Sequence, residues 1–144
     1  MKWRAAVDRA VAPLGLTHAQ YSVLASLFGM ARAGERPSQR RLADHTGLEP
    51  IYISKLARAL EAAGLVERTV DPADTRAVRL TLTDRGRDVA SQAVVVVRDL
   101  QEQLTAPIGG ADSKRTRSLM RELEALLAAP RSPLRSPNQT GEQQ

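Results

Sequence analysis

Apolar residues along the first third of the chain recur at steps of three and four. Trp3, Val7, Ala10, Val11 and Leu14 predict a short amphipathic helix, ended by Pro13 and Gly15. Thr17 is the expected N-cap of a second helix with an apolar stripe of Tyr21, Leu24, Leu27 and Phe28. Gly34 and Pro37 mark the loop after it. Ser38 caps a third helix that carries Leu42 and Ala43 and stops at Thr46-Gly47. Leu48 and Glu49 form the turn into a fourth helix. Pro50 opens it, because its fixed φ and missing N–H suit the first helical position. Ile53, Leu56, Ala57 and Leu60 give this helix one apolar face, and Gly64 ends it.

The period then shortens to two. Leu65 to Val70 predicts a strand, Asp71-Pro72-Ala73-Asp74 is turn chemistry, and the alternation from Ala77 to Leu82 predicts the returning strand of a hairpin. Thr83 caps a long helix with a stripe of Val89, Ala93, Val96, Leu100 and Leu104, broken by Pro107 and Gly109-Gly110. Asp112 or Ser113 starts a last helix through Leu119, Leu123, Leu126 and Leu127. Residues 130–144 are rich in Pro, Ser and Gln and are expected to be a disordered tail. The expected fold is mainly α with a small β-hairpin (α+β). No internal repeat interrupts it.

Composition narrows the chemistry. Apolar residues make up 42% of 144, but aromatics only 3%, so Leu, Val, Ile and Ala must build the core. With no cysteine, disulfides and thiolate metal sites are excluded. His18 and His45 lie far apart in sequence, no triad or glycine-rich phosphate loop is present, and neither an enzyme nor a metal or cofactor site is expected. No apolar run reaches the roughly 18 residues of a membrane span. Asp8, Arg9 and Pro13 interrupt any secretory signal after Lys2 and Arg4, and a cytoplasmic protein is expected. The net charge of +5 is unevenly spread: residues 36–87 hold ten Lys/Arg against seven Asp/Glu, whereas residues 88–129 hold five against six. The basic segment is the one with the two short helices and the hairpin, which suits a nucleic-acid partner.

Two short helices, a tight turn and a hairpin make a winged helix-turn-helix. In it the third helix buttresses the fourth, the fourth offers its outer face to the major groove, and the hairpin reaches the neighbouring minor groove or backbone. That outer face carries Ser54, Lys55 and Arg58, and Lys55 suits a phosphate or a guanine. Ile51 and Tyr52, just after Pro50, either meet thymine methyl groups or pack on the third helix. Arg40 and Arg41 follow the Ser38 cap, at a helix end that attracts phosphate. In the hairpin turn, Asp74 either holds the Arg76 guanidinium as a bidentate pair or simply forms the turn.

The run from Leu42 to Gly86 closely resembles regulators of the MarR family. The likeness rests on Leu42-Ala43 with Gly47-Leu48, on the block Leu60-Glu61 with Gly64-Leu65-Val66-Glu67-Arg68, on Asp71-Pro72, Asp74 and Arg76, and on Leu82-Thr83 with Gly86. Upstream, Leu16-Thr17, Gln20 and Leu24 extend it, so that it spans about residues 10–129. The resemblance implies a homodimer joined through the first, fifth and sixth helices, which divides the chain into a dimerisation region at 1–15 and 83–129 and a DNA-binding region at 16–82. It also implies a pseudo-palindromic double-stranded DNA operator, a wing arginine in the minor groove, and a repressor released by a small phenolic or aromatic acid. Trp3, Arg4, His18 and Tyr21 fall where such an effector cleft tends to lie; ordinary packing is the alternative for them. Two departures stand out. The first helix is short, and positions 49, 51 and 52 hold Glu, Ile and Tyr where small hydroxyl residues are common in the family. The competing function is a winged-helix protein-interaction module that binds no DNA.

Overall fold

The computed structural model describes residues 2–128, and the tail expected at 130–144 lies outside them. Six α-helices and one hairpin follow in the order α1 (Lys2–Val11), α2 (His18–Arg32), α3 (Gln39–Thr46), α4 (Pro50–Ala62), β1 (Val66–Val70), β2 (Val78–Leu82), α5 (Asp84–Thr105) and α6 (Lys114–Ala128). A 3-10 turn at Ala12–Leu14 follows α1, and another at Ala106–Ile108 follows α5. Each contains the proline that ends the α-helix, and each is closed by a glycine at positive φ, Gly15 and Gly109.

The caps explain where the helices begin. Thr17 and Gln20 form a reciprocal capping box on α2. Ser38 Oγ accepts the Arg41 N–H at 3.0 Å at the start of α3. Thr83 Oγ1 accepts the Gly86 N–H at 2.9 Å and itself donates to the Gly64 carbonyl at 2.7 Å, so the start of α5 is fastened to the end of α4. Of the two candidate starts for α6, Ser113 holds the cap, its Oγ accepting the Thr116 N–H at 3.1 Å.

The described residues fall into two compact units, one ending at Leu104 and one beginning at Thr105. In the first, the core is Val7 and Val11 of α1, Val23, Leu24, Leu27 and Met30 of α2, Leu42 and Ala43 of α3, and Ile53, Leu56, Ala57 and Leu60 of α4. Leu65, Val66, Leu80 and Leu82 add the inner face of the hairpin. The stripes expected for α3 and α4 are thus the buried ones. Two others shift. In α2, Val23 and Met30 are buried, while Tyr21 and Phe28 only pack against the rim of the core. In α5, Ala93 of the expected stripe is buried and Val89 packs against the core, but the rest of the buried face is Gly86, Ala90 and Val97, and Leu104 is exposed. The backbone of Leu65 comes so close to Gly86 that only a residue without a Cβ fits there.

The hairpin is antiparallel in the register Val66↔Leu82 to Val70↔Val78. A third chain segment joins it. The Leu80 N–H donates to the Pro37 carbonyl at 3.0 Å, and Ser38 bridges Arg79, so the loop before α3 runs along the outer edge of β2. Proline tolerates this place because an edge segment needs no inward N–H.

In the second unit, Thr116 is the one buried polar side chain among the described residues, and it donates to the Gly110 carbonyl at 2.7 Å. The α6 side chains Leu119, Met120, Leu123, Leu126 and Leu127 are all exposed. No helix among the described residues is long and apolar enough to cross a membrane.

Candidate nucleic-acid interface

Burial of Ile53, Leu56, Ala57 and Leu60 fixes the rotation of α4 and turns Lys55 and Arg58 to solvent, with Ser54 half-buried at the border of that face. Ile51 is 82% exposed and Tyr52 38%. For Ile51 this contradicts the alternative of packing on α3. The cause lies in the start of the helix: Pro50 places the first buried position at Ile53, and Ile51, two residues earlier, points away from the core.

Beside α4 lies a groove of about 710 Å³, lined by Ser38, Gln39, Arg40, Asp44, Pro50, Asp74, Arg76, Ala77 and Val78. It runs between the N-terminus of α3, the start of α4 and the hairpin. Five residues proposed from the sequence therefore meet on one wall: Ser38, Arg40, Pro50, Asp74 and Arg76. Gln39 lines the same groove and was not anticipated. Its Oε1 accepts the Arg68 Nε–H at 3.4 Å, while Arg68 also faces Glu61 at 3.5 Å, so β1 is linked to the ends of α3 and α4.

At the hairpin tip Asp74 forms the turn, the second of its two expected roles, rather than a bidentate pair with Arg76. Asp74 Oδ1 accepts the backbone N–H of Arg76 at 3.0 Å, an Asx turn, and the guanidinium comes only to 3.9 Å. The Arg76 side chain is 96% exposed and projects freely from the tip. The close ion pair of the hairpin is another one, Arg79 Nε with Asp71 Oδ2 at 2.9 Å. Asp71 also accepts the Ala73 N–H at 2.9 Å. This amide, and after it the Arg79 guanidinium, holds the Asp71 carboxyl below the usual carboxylate range.

Arg41 sits apart from the groove wall. Its guanidinium faces Glu35 at 3.4 Å and its N–H is taken by Ser38, which leaves Arg40 as the open cation of that turn.

The four effector candidates lie on the α1–α2 side of the fold. Trp3 and Tyr21 are half-buried against the core, and burial raises the Tyr21 hydroxyl pKa. The His18 N–H is held by Asp8, and Arg4 is exposed.

A helix-turn-helix buttressed by a hairpin, with lysine and arginine on its outer face, defines the chain as a winged helix-turn-helix protein. Residues 14–77 match the MarR family. The HTH-type transcriptional regulator YdcH of Bacillus subtilis (strain 168) is 33% identical over 104 residues, 72% of this chain and 71% of that protein. The chain belongs to the MarR family of DNA-binding transcriptional regulators. Two solved structures of CouR share the fold, the second of them of the protein from Rhodococcus jostii RHA1. The repressor bound to a 23-mer DNA duplex has 30% identity and a TM-score of 0.72, covering 89% of this chain and 85% of that one. The complex with p-coumaroyl-CoA has 28% identity and a TM-score of 0.71, covering 90% and 85%.

Proposed function

We propose that this chain is a repressor that binds a pseudo-palindromic DNA operator as a homodimer. The observation that carries the reading is the groove itself: α3, α4 and the hairpin tip converge on one concave wall, with Arg40 and Arg76 on it and Lys55 and Arg58 on the adjoining helix face. A duplex laid there places α4 in the major groove, the tip and Arg76 at the minor groove, and Ser38 and Arg40 beside phosphate. Residues 16–82 form the DNA-binding region on this reading. Residues 1–15 and 83–129 form the dimerisation region, which the exposed apolar row of α6 supports.

Release by a small phenolic or aromatic acid is the second part of the proposal. Its support is the p-coumaroyl-CoA complex of CouR, together with half-buried Trp3, His18 and Tyr21 and the exposed Arg4 on the α1–α2 side. The test is a mobility shift on DNA flanking the gene, repeated over a salt series and with p-coumaroyl-CoA and simple phenolic acids added. Affinity should fall steeply with salt, and sedimentation should give about twice the 15.6 kDa of one chain. A folded protein that shifts no duplex from the flanking DNA or from a randomised pool would instead be the protein-interaction module.

A further inference from the structure

We propose that Arg79 is a positioning residue for DNA binding: by clamping Asp71 at the root of the wing it fixes the tip that carries Arg76. The inference rests on the DNA-binding reading of the same face. Arg79 stands on β2 between β1 and the cap of α3. Its backbone lies opposite Thr69 of β1 on one side and bridges Ser38, the cap of α3, on the other. Its side chain crosses the hairpin to Asp71 at 2.9 Å. Asp71 follows the last registered pair, Val70↔Val78, and its N–H donates to the Ala77 carbonyl at 2.9 Å. Arg79 is therefore its diagonal neighbour on the same face of the ribbon.

Beyond that point the tip is held by little. Asp71 accepts from Ala73, Asp74 accepts from Arg76, and the Ala77 N–H donates to the Asp74 carbonyl at 2.9 Å. The Arg76 side chain has only the loose 3.9 Å contact with Asp74. The direction of the tip is thus set at its root, where the Arg79–Asp71 pair joins the two strands next to the start of α3. Arg79 is itself 34% exposed, against 96% for Arg76, which suits a strut rather than a probe.

The test uses the full chain and a duplex that the wild-type protein selects from a randomised pool. Arg79→Ala should weaken binding about five- to twentyfold, yet cost less than about twofold when Arg76→Ala is already present, because residues acting as one unit are not additive. The salt slope of Arg79→Ala should equal that of wild type, since no phosphate contact is lost. Arg79→Lys should recover part of the affinity through a single bond to Asp71. Asp71→Asn, which keeps the shape and the Ala73 acceptor, should reproduce part of the loss with an unchanged thermal midpoint. Unchanged binding by Arg79→Ala would overturn the proposal. So would a loss fully additive with Arg76→Ala and a salt slope shallower by about one, which would make Arg79 a phosphate contact. If wild type selects no duplex at all, the DNA-binding reading falls and the positioning role with it.

Discussion

Asp8 Oδ1 accepts the backbone N–H of His18 at 2.6 Å. The bond spans ten residues and ties α1 to the first turn of α2, where unpaired N–H groups and the helix dipole favour a carboxylate. Asp8→Ala should lower stability by about 1–2 kcal/mol, and Asp8→Asn, which keeps an acceptor, by less. Denaturant unfolding of the three proteins checks the order; equal midpoints would show the bond to be idle.

Gly86 and Gly29 both lie inside helices, yet alanine should act oppositely at the two. A Cβ at Gly86 would overlap the Leu65 carbonyl oxygen, which already accepts the Thr83 N–H at 3.1 Å, whereas a Cβ at Gly29 meets nothing within 4 Å. Gly86→Ala should destabilise the fold by about 2–3 kcal/mol through forced backbone movement. Gly29→Ala should stabilise it by about 0.5–1 kcal/mol, because glycine costs backbone entropy in a helix. Thermal midpoints moving in the same direction would refute the packing described for the start of α5.

Arg76 and Lys55 should fail differently. The exposed guanidinium at the hairpin tip suits a narrow, strongly negative minor groove, so the loss from Arg76→Ala should grow with A·T content at the half-site edges. Lys55→Ala should weaken all duplexes alike and reduce the salt slope by about one if it neutralises a phosphate. Binding isotherms on edge-varied duplexes at several salt concentrations separate the two patterns, and wild-type affinity in both variants would remove the docking geometry.

Ile51 should set base preference without supporting the fold. At 82% exposure it offers only apolar contact, which favours the thymine methyl. Ile51→Ser should relax a thymine preference in a selection on randomised half-sites while stability stays within about 0.5 kcal/mol. A lowered midpoint with an unchanged preference would be the opposite result.

Asp71 gives the hairpin a defined response to acid. Its carboxyl is held low in the folded protein, first by the Ala73 amide and then by Arg79. The stabilisation it confers is therefore complete above the ordinary aspartate range and is lost only as pH falls through the lowered value. Carboxyl carbon shifts followed by NMR should show Asp71 titrating below a free aspartate, and Arg79→Ala should move it up. Titration at the ordinary value in wild type would count against the clamp.

The caps and breakers were legible in the sequence because they act locally. Thr17, Ser38, Pro50 and Gly15 declare helix ends from their own chemistry, and the change of period at Leu65 announces the hairpin. The α5 stripe was legible only at Val89 and Ala93, because hydrophobic pattern ranks Val and Leu above Gly and Ala. Close approach of the Leu65 backbone, just before β1, instead admits only glycine at position 86. Of the two roles open to Asp74, turn formation holds, while the close ion pair of the wing was not legible. Asp74 and Arg76 are near in sequence, but the register brings Asp71 to Arg79 across the ribbon, and pairing between strands is not read from neighbours along one. Ile51 stayed open between two roles until the rotation of α4 was fixed by its buried face. Asp8 and Gln39 carry no motif at all; their roles exist only in three dimensions.

The Pro37 carbonyl that receives the Leu80 N–H has a practical consequence for exchanging parts between relatives. A graft that replaces only residues 66–82 would leave the acceptor and the Ser38 bridge behind, matched to a foreign strand. The transplantable module starts at Pro37 and runs through the hairpin, and chimeras cut at its borders should retain a coherent operator preference where cuts inside it scramble one.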